Sequence, residues 1–134
     1  MRRVAMITGA SRGIGAAIAS VLAQRGFRVV VNCHASAEQA EEVVEAITAA
    51  GGEAVGIQAD VTAPGDVARM VGDINKRWDS VDVVVHNALI PFAITSFAQL
   101  TWEQLGGKLD RELHAAFLIA KAAVPGMIFR GTVG

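Results

Sequence analysis

The chain has 134 residues, 52% of them hydrophobic, and its twelve basic and thirteen acidic side chains leave a formal net charge of -1. That length supports one domain with a real core, and a balance with no block of either sign excludes nucleic acid or an anionic membrane surface as the evident partner. A single cysteine, Cys33, permits no intrachain disulfide and fits a reducing compartment; there is no signal-peptide pattern after Met1-Arg2-Arg3, and no apolar stretch reaches the ~18 residues of a membrane span. A soluble, cytoplasmic chain is expected.

Val4 to Ile7 reads as a short buried strand. It runs into Thr8-Gly9-Ala10-Ser11-Arg12-Gly13-Ile14-Gly15, and Ile14, Ala17, Ile18, Val21 and Leu22 then recur at helical spacing as far as Arg25, with Gly26 as a left-handed stop. Phe27 to Cys33 suits a strand buried on both faces. Ser36 with Gln39 predicts a capping box, followed by a helix on Ala40, Val43, Val44 and Ile47 that ends at Gly51-Gly52. Its glutamates, Glu38, Glu41, Glu42 and Glu45, form a solvated face. Ala54 to Ala59 predicts a third strand, ending at Asp60-Val61-Thr62. Pro64 then opens a helix whose buried stripe is Val67, Met70, Val71, Ile74 and Trp78. Val81 to Val85 predicts a fourth strand, closed by His86-Asn87-Ala88-Leu89. From about Thr101 a long helical pattern follows, with Leu105, Leu109, Leu113, Ala116, Phe117, Ala120 and Val124 as its stripe. Gly106-Gly107 interrupts that pattern, and Pro125 is a point for it to end or kink.

The order βαβαβαβα predicts an α/β fold, a Rossmann-type doubly wound parallel sheet with strand order 3-2-1-4. Its ligand crevice lies over strands one and four, where the order reverses. Glycines in the first turn have mechanical reasons to be there. Gly9 takes the tight bend leaving the strand, Gly13 leaves the helix start uncovered for a phosphate, and Gly15 lets the first helical turn pack closely. The N–H groups of that turn and the positive end of the helix dipole then form a pyrophosphate site. The spacing G-x3-G-x-G is one residue looser than the common dinucleotide fingerprint.

The end of the second strand argues for the cofactor type. A site for NAD usually carries an acid there to bind the ribose 2′-OH. Here the segment from Asn32 to Ser36 has none, while Arg12 is placed to meet a 2′-phosphate and Ser36 adds a hydroxyl. NADP(H) is therefore expected over NAD(H).

The octapeptide Thr8 to Gly15, Asp60-Val61, Asn87-Ala88 and the stretch Ala122-Ala123-Val124-Pro125-Gly126-Met127 together resemble the short-chain dehydrogenase/reductase family. The likeness is to the N-terminal half of members such as the 3-oxoacyl-(acyl-carrier-protein) reductases, and it covers nearly the whole chain. It implies that Ser11, Arg12 and Ile14 join Gly9, Gly13 and Gly15 in holding the cofactor, with Asn32 and Ser36 nearby. It also implies that Asp60 meets the adenine amino group beside Val61, and that Asn87 and Ala88 lie by the ribose and nicotinamide. Other readings stand beside these: Asp60 as a cap on the following helix, Arg12 as a surface residue, and Asn87 as a tie from its loop to a neighbouring strand. Cys33 reads as a small buried hydrophobe. His34, His86 and His114 lack metal-site spacing, so no metal is expected.

The family reduces carbonyls with a serine, a Tyr-x-x-x-Lys pair and a supporting asparagine. The sequence holds no tyrosine, and the position of that asparagine is Glu112. The loop after strand four departs from the usual Asn-Asn-Ala-Gly at His86 and Leu89. The resemblance therefore implies one nucleotide-binding domain over 1–134, lacking the catalytic half and inactive alone in hydride transfer. A non-catalytic nucleotide-binding or dimerising module and half of a split enzyme are the alternatives. An unpaired fourth strand and an uncovered last helix predict self-association or a complementing chain.

Overall fold

Strands and helices alternate as the hydrophobic periods require. In the computed structural model, which describes residues 2–131, β1 is Val4–Ile7, α1 Gly13–Gln24, β2 Arg28–Cys33, α2 Ala37–Ala49, β3 Glu53–Gln58 and α3 Pro64–Trp78. β4, Val83–Val85, is followed by a single 3-10 turn at Phe97–Gln99 and by α4, Trp102–Arg130. All four strands are parallel, in the expected order β3-β2-β1-β4. Met6 of β1 aligns with Val30 on one side and Val84 on the other, and Asn32 of β2 aligns with Ile57 of β3.

Two cores lie on opposite faces of the sheet because successive strand residues point to opposite sides. Val4, Met6 and Val30 pack with Val67, Met70, Val71, Ile74 and Trp78 of α3 and with Ala115, Ile119 and Ala123 of α4. Ala5, Ile7, Val29 and Val31 pack with Ala19 and Ala23 of α1 and with Ala40, Val44 and Ile47 of α2. Gly26 has φ +86° and follows α1 as the sequence predicts.

Three local expectations fail. The Ser36 side chain makes no cap for α2; its hydroxyl is 2.7 Å from the Ser11 hydroxyl, so the box is replaced by a bond between the loops that follow the inner strands β1 and β2. β4 begins at Val83, two residues late, because Asp82 turns inward and accepts a hydrogen bond from the Val4 amide at 2.7 Å. The buried stripe of α4 is also the wrong one. Leu109, Leu113 and Phe117 are exposed, whereas Ala115, Ile119 and Ala123 are buried. The helix carries two apolar stripes, and the one with small residues lets the backbone approach the sheet most closely. Neither Gly106-Gly107 nor Pro125 breaks α4, which is opened by a full capping box between Thr101 and Gln104.

α4 also corrects the reading of apolar runs. By length and composition it is long and apolar enough to cross a membrane, although no uninterrupted apolar run shows it. Ala115, Ile119 and Ala123 pack into the core shared by α3 and the sheet, while most of the helix surface is exposed. Near its end, Arg130 pairs with buried Asp82 at 3.7 Å and donates to the Ser80 hydroxyl at 3.4 Å. Because Ile119 is buried and Leu113 exposed, Ile119→Ala lowers unfolding free energy by about 2–4 kcal/mol while Leu113→Ala costs under about 0.5 kcal/mol. Urea unfolding of the two variants checks this.

Candidate functional site

The turn after β1 is held by contacts that only glycine permits. Gly9 has φ +60°, and a Cβ there would lie 2.8 Å from the Ala88 Cα. A Cβ on Gly15 would lie 2.5 Å from the Gly9 carbonyl oxygen and 2.6 Å from the Asn87 amide nitrogen. The close neighbour of Gly15 is thus the loop after β4 as much as the sheet. Gly13, with φ +59°, has nothing within 4 Å of its Cβ direction. Open space therefore stands before the first turn of α1.

Thr8 locks the two loops together. Its buried hydroxyl accepts from the Asn87 amide at 2.9 Å and the Ala88 amide at 3.0 Å. The Asn87 side chain donates to the Thr8 and Gly9 carbonyls at 3.1 and 3.0 Å, so the tying role weighed from the sequence is present. Asn32 serves on the other side. Its side-chain amide donates to the Cys33, Ile57 and Ala59 carbonyls and its oxygen accepts from the Gly9 amide at 3.3 Å. That side chain builds the floor and presents no free donor.

Above this floor, a crevice of about 720 Å³ follows the carboxyl ends of the four strands. Gly9, Ser11, Arg12, Gly13, Ile14, Asn32, Ser36, Asp60, Val61, Asn87 and Ala88 all line it; Gly15 lies beneath. His34, Thr62, Leu89, Ile90, Pro91 and Arg111 line it as well. Of these, Arg111 left no signal in the sequence, since it arrives from α4 only once the chain has folded.

The first turn of α1 has no acidic residue, and its N-cap, Arg12, makes no side-chain hydrogen bond to it. The helix start therefore keeps its positive end uncompensated, which suits a phosphate. Ser11 and Ser36 share one hydrogen bond, so whichever donates, the other keeps a proton to offer. Asp60 does not cap α3, whose N-cap is Ala63. Its carboxylate accepts from the Thr62 hydroxyl at 2.7 Å and the Thr62 amide at 2.9 Å. Those two bonds, in that order of weight, and the nearby His34 ring hold its carboxyl below the usual range against the opposing effect of burial. Burial pushes the Cys33 thiol up, in keeping with a small buried hydrophobe. Among the described residues no cluster of three metal-ligating side chains occurs.

A glycine turn at a helix start, beneath a crevice at the switch point of a parallel sheet, defines a dinucleotide-binding α/β protein. Comparison with known proteins gives the family. Residues 3–134 match the short chain dehydrogenase family, and the chain belongs to it. This is a family of oxidoreductases that bind nicotinamide dinucleotides.

The chain is 47% identical over 124 residues to versicolorin reductase 1 of Aspergillus parasiticus, covering 90% of this chain and 46% of that protein. It is 37% identical over 130 residues to the 3-oxoacyl-[acyl-carrier-protein] reductase of Staphylococcus epidermidis, covering 96% and 52%. Among solved structures, a metagenomic short-chain oxidoreductase in complex with NADP superposes with a TM-score of 0.84 at 33% identity, covering 96% of this chain and 57% of that one. A Mycobacterium marinum short-chain dehydrogenase/reductase gives 0.84 at 31% identity, with 96% and 51% covered. The chain spans about half the length of the curated relatives it matches.

Two predictions follow from the geometry of the turn and of Asp60. Gly15→Ala, driven into backbone, destabilises the fold by about 2 kcal/mol or more. Gly13→Ala, facing open space, costs only the left-handed strain of about 1–2 kcal/mol. Denaturant unfolding with amide spectra of Asn87 separates the two. Asp60 has a depressed carboxyl, so its contribution to stability is full above the unfolded carboxylate range and is lost as pH falls through the folded value. Unfolding midpoints recorded from pH 6 down to 3 should decline on the acid side, and Thr62→Val should make that decline shallower.

Proposed function

We propose that this chain is the NADP(H)-binding part of a short-chain dehydrogenase/reductase. The observation that carries it is the uncapped start of α1, with Arg12 at its N-cap and no acid at the end of β2. The glycine turn and the N–H groups of α1 take the pyrophosphate. Arg12 and the Ser11–Ser36 hydroxyl pair take the 2′-phosphate, with a fork of donors that a carboxylate would oppose. Ile14, exposed at the mouth, covers the dinucleotide with an apolar surface. Asp60, already ionised and oriented by Thr62, accepts from the adenine amino group, and Val61 packs by the ring. Ala88, Asn87 and the loop behind them receive the ribose and nicotinamide.

When bound, the dihydronicotinamide supplies a hydride. Among the described residues, the groups that would protonate a reduced carbonyl, a serine and a Tyr-x-x-x-Lys pair in the family, have no counterpart on the side of the crevice formed by the loop after β4. Lys108 and Lys121 both sit on α4 with no phenol to tune. On this reading the 134 residues bind cofactor and do not turn over. In the whole protein the substrate is a ketone such as a 3-oxoacyl thioester, in line with the reductases it resembles, and the setting is cytoplasmic.

The outer ridge of α4, including Leu109, Leu113 and Phe117, together with the unpaired outer edge of β4, supports self-association or a complementing chain. Sedimentation as a monomer at micromolar concentration would count against it. The cofactor reading is tested by fluorescence titration with NADPH and NADH. NADPH should bind more tightly, and Arg12→Ala should weaken NADPH about tenfold or more while moving NADH less than about twofold. Equal loss for both would remove the role given to Arg12, and no binding of either would remove the reading.

A further inference from the structure

The segment 90–92 forms the β4-side wall of the crevice through Ile90 and Pro91, yet it lies in a stretch without helix, strand or turn. Side chains from the second and third turns of α4 hold it in place. The Lys108 ammonium donates to the Ile90 carbonyl and to the Glu112 carboxylate one helical turn further on. The same ammonium stands 4.8 Å from the centroid of the Phe92 ring. Arg111 adds a longer bond, 3.4 Å, to the Pro91 carbonyl.

This arrangement differs from an ordinary surface pair at i,i+4, which is worth only a few tenths of a kcal/mol and joins a helix to itself. The Lys108 side chain is only 17% exposed, and a charge so withdrawn from water must be matched. Glu112 matches it and also aims it, leaving its remaining hydrogens for the Ile90 carbonyl. The Glu112 carboxyl is held below the usual range first by the Lys108 hydrogen bond, against burial, with the Ile90 backbone and the His86 ring adding to the effect. The charged groups facing the wall are thus Lys108, Arg111, Glu112 and His86.

We infer that Lys108, aimed by Glu112, is a positioning residue that fixes the Ile90–Phe92 wall and with it the width of the nicotinamide half of the crevice. The inference rests on the cofactor reading above. It places the strap away from Arg12, Ser36 and Asp60, which serve the adenosine half. The two halves of the dinucleotide should therefore respond differently when the strap is cut.

The test compares the full chain with Lys108→Met, Lys108→Arg and Glu112→Gln, using NADPH and the half-ligand 2′,5′-ADP. Lys108→Met keeps the stem and removes the charge; it should weaken NADPH about tenfold, the loss of one charge-assisted hydrogen bond, and leave 2′,5′-ADP within about twofold. Lys108→Arg should restore most of the NADPH affinity, and Glu112→Gln should fall between. Amide hydrogen exchange gives a readout that needs no ligand: Lys108→Met should speed exchange across residues 88–93 and leave β1 and β2 unchanged. Equal loss of both ligands, no loss of either, or unchanged exchange in that loop overturns the positioning role. If the unmodified chain binds neither ligand, the cofactor reading fails by itself, while the exchange result still decides whether Lys108 holds the wall.

Discussion

The structure depends on one close approach, where the turn leaving β1 passes against the loop leaving β4. Asn87 reaches across to two consecutive carbonyls, Thr8 reaches back to two consecutive amides, and Gly15 leaves the space in which they meet. These backbone groups are partly withdrawn from water, and the bonds supply partners that the solvent does not fully provide. The same contacts fix the direction in which α1 leaves the sheet. The helix start, the crevice floor and the switch point are therefore consequences of a single packing event between segments some eighty residues apart.

A second layer of ties works from the other side. Asn32 joins the β1 turn to the ends of β2 and β3, and Thr62 turns the Asp60 carboxylate. Asp60 and Thr62 lie outside the helices and strands and Asn32 stands near the end of β2, yet their side chains decide where the ladders' ends stand. A crevice built this way is preorganised, so a ligand entering it spends little on ordering the walls. The β4 side is the exception, since its wall is irregular chain stapled from outside by α4.

Much of this was legible in the residues, and the reasons differ from element to element. The alternation of short apolar runs with helical periods gave the strand order, because a right-handed parallel crossover leaves few topologies. Gly9 and Gly13 were legible because positive φ is a local property. The face of α4 was not. Its stripes Leu109-Leu113-Phe117 and Ala115-Ile119-Ala123 have the same period, and only the space left by α3 and the sheet decides between them. Asp82 and Lys108 were illegible for a related reason: their partners, Val4, Arg130 and Ile90, are distant in sequence. Ser36 failed as a predicted cap because its hydroxyl found a better partner in another loop.

α4 is a single run of 29 residues. Near one end Lys108 grips the crevice wall; at the other Arg130 is pinned to Asp82 and Ser80, at the foot of the sheet. The two grips are separated by about 33 Å of continuous helix, at 1.5 Å per residue. A helix barely stretches along its axis, so it behaves as a connecting rod. One rigid element therefore joins the crevice wall at the carboxyl ends of the strands to the buried carboxylate that precedes β4 at the other pole.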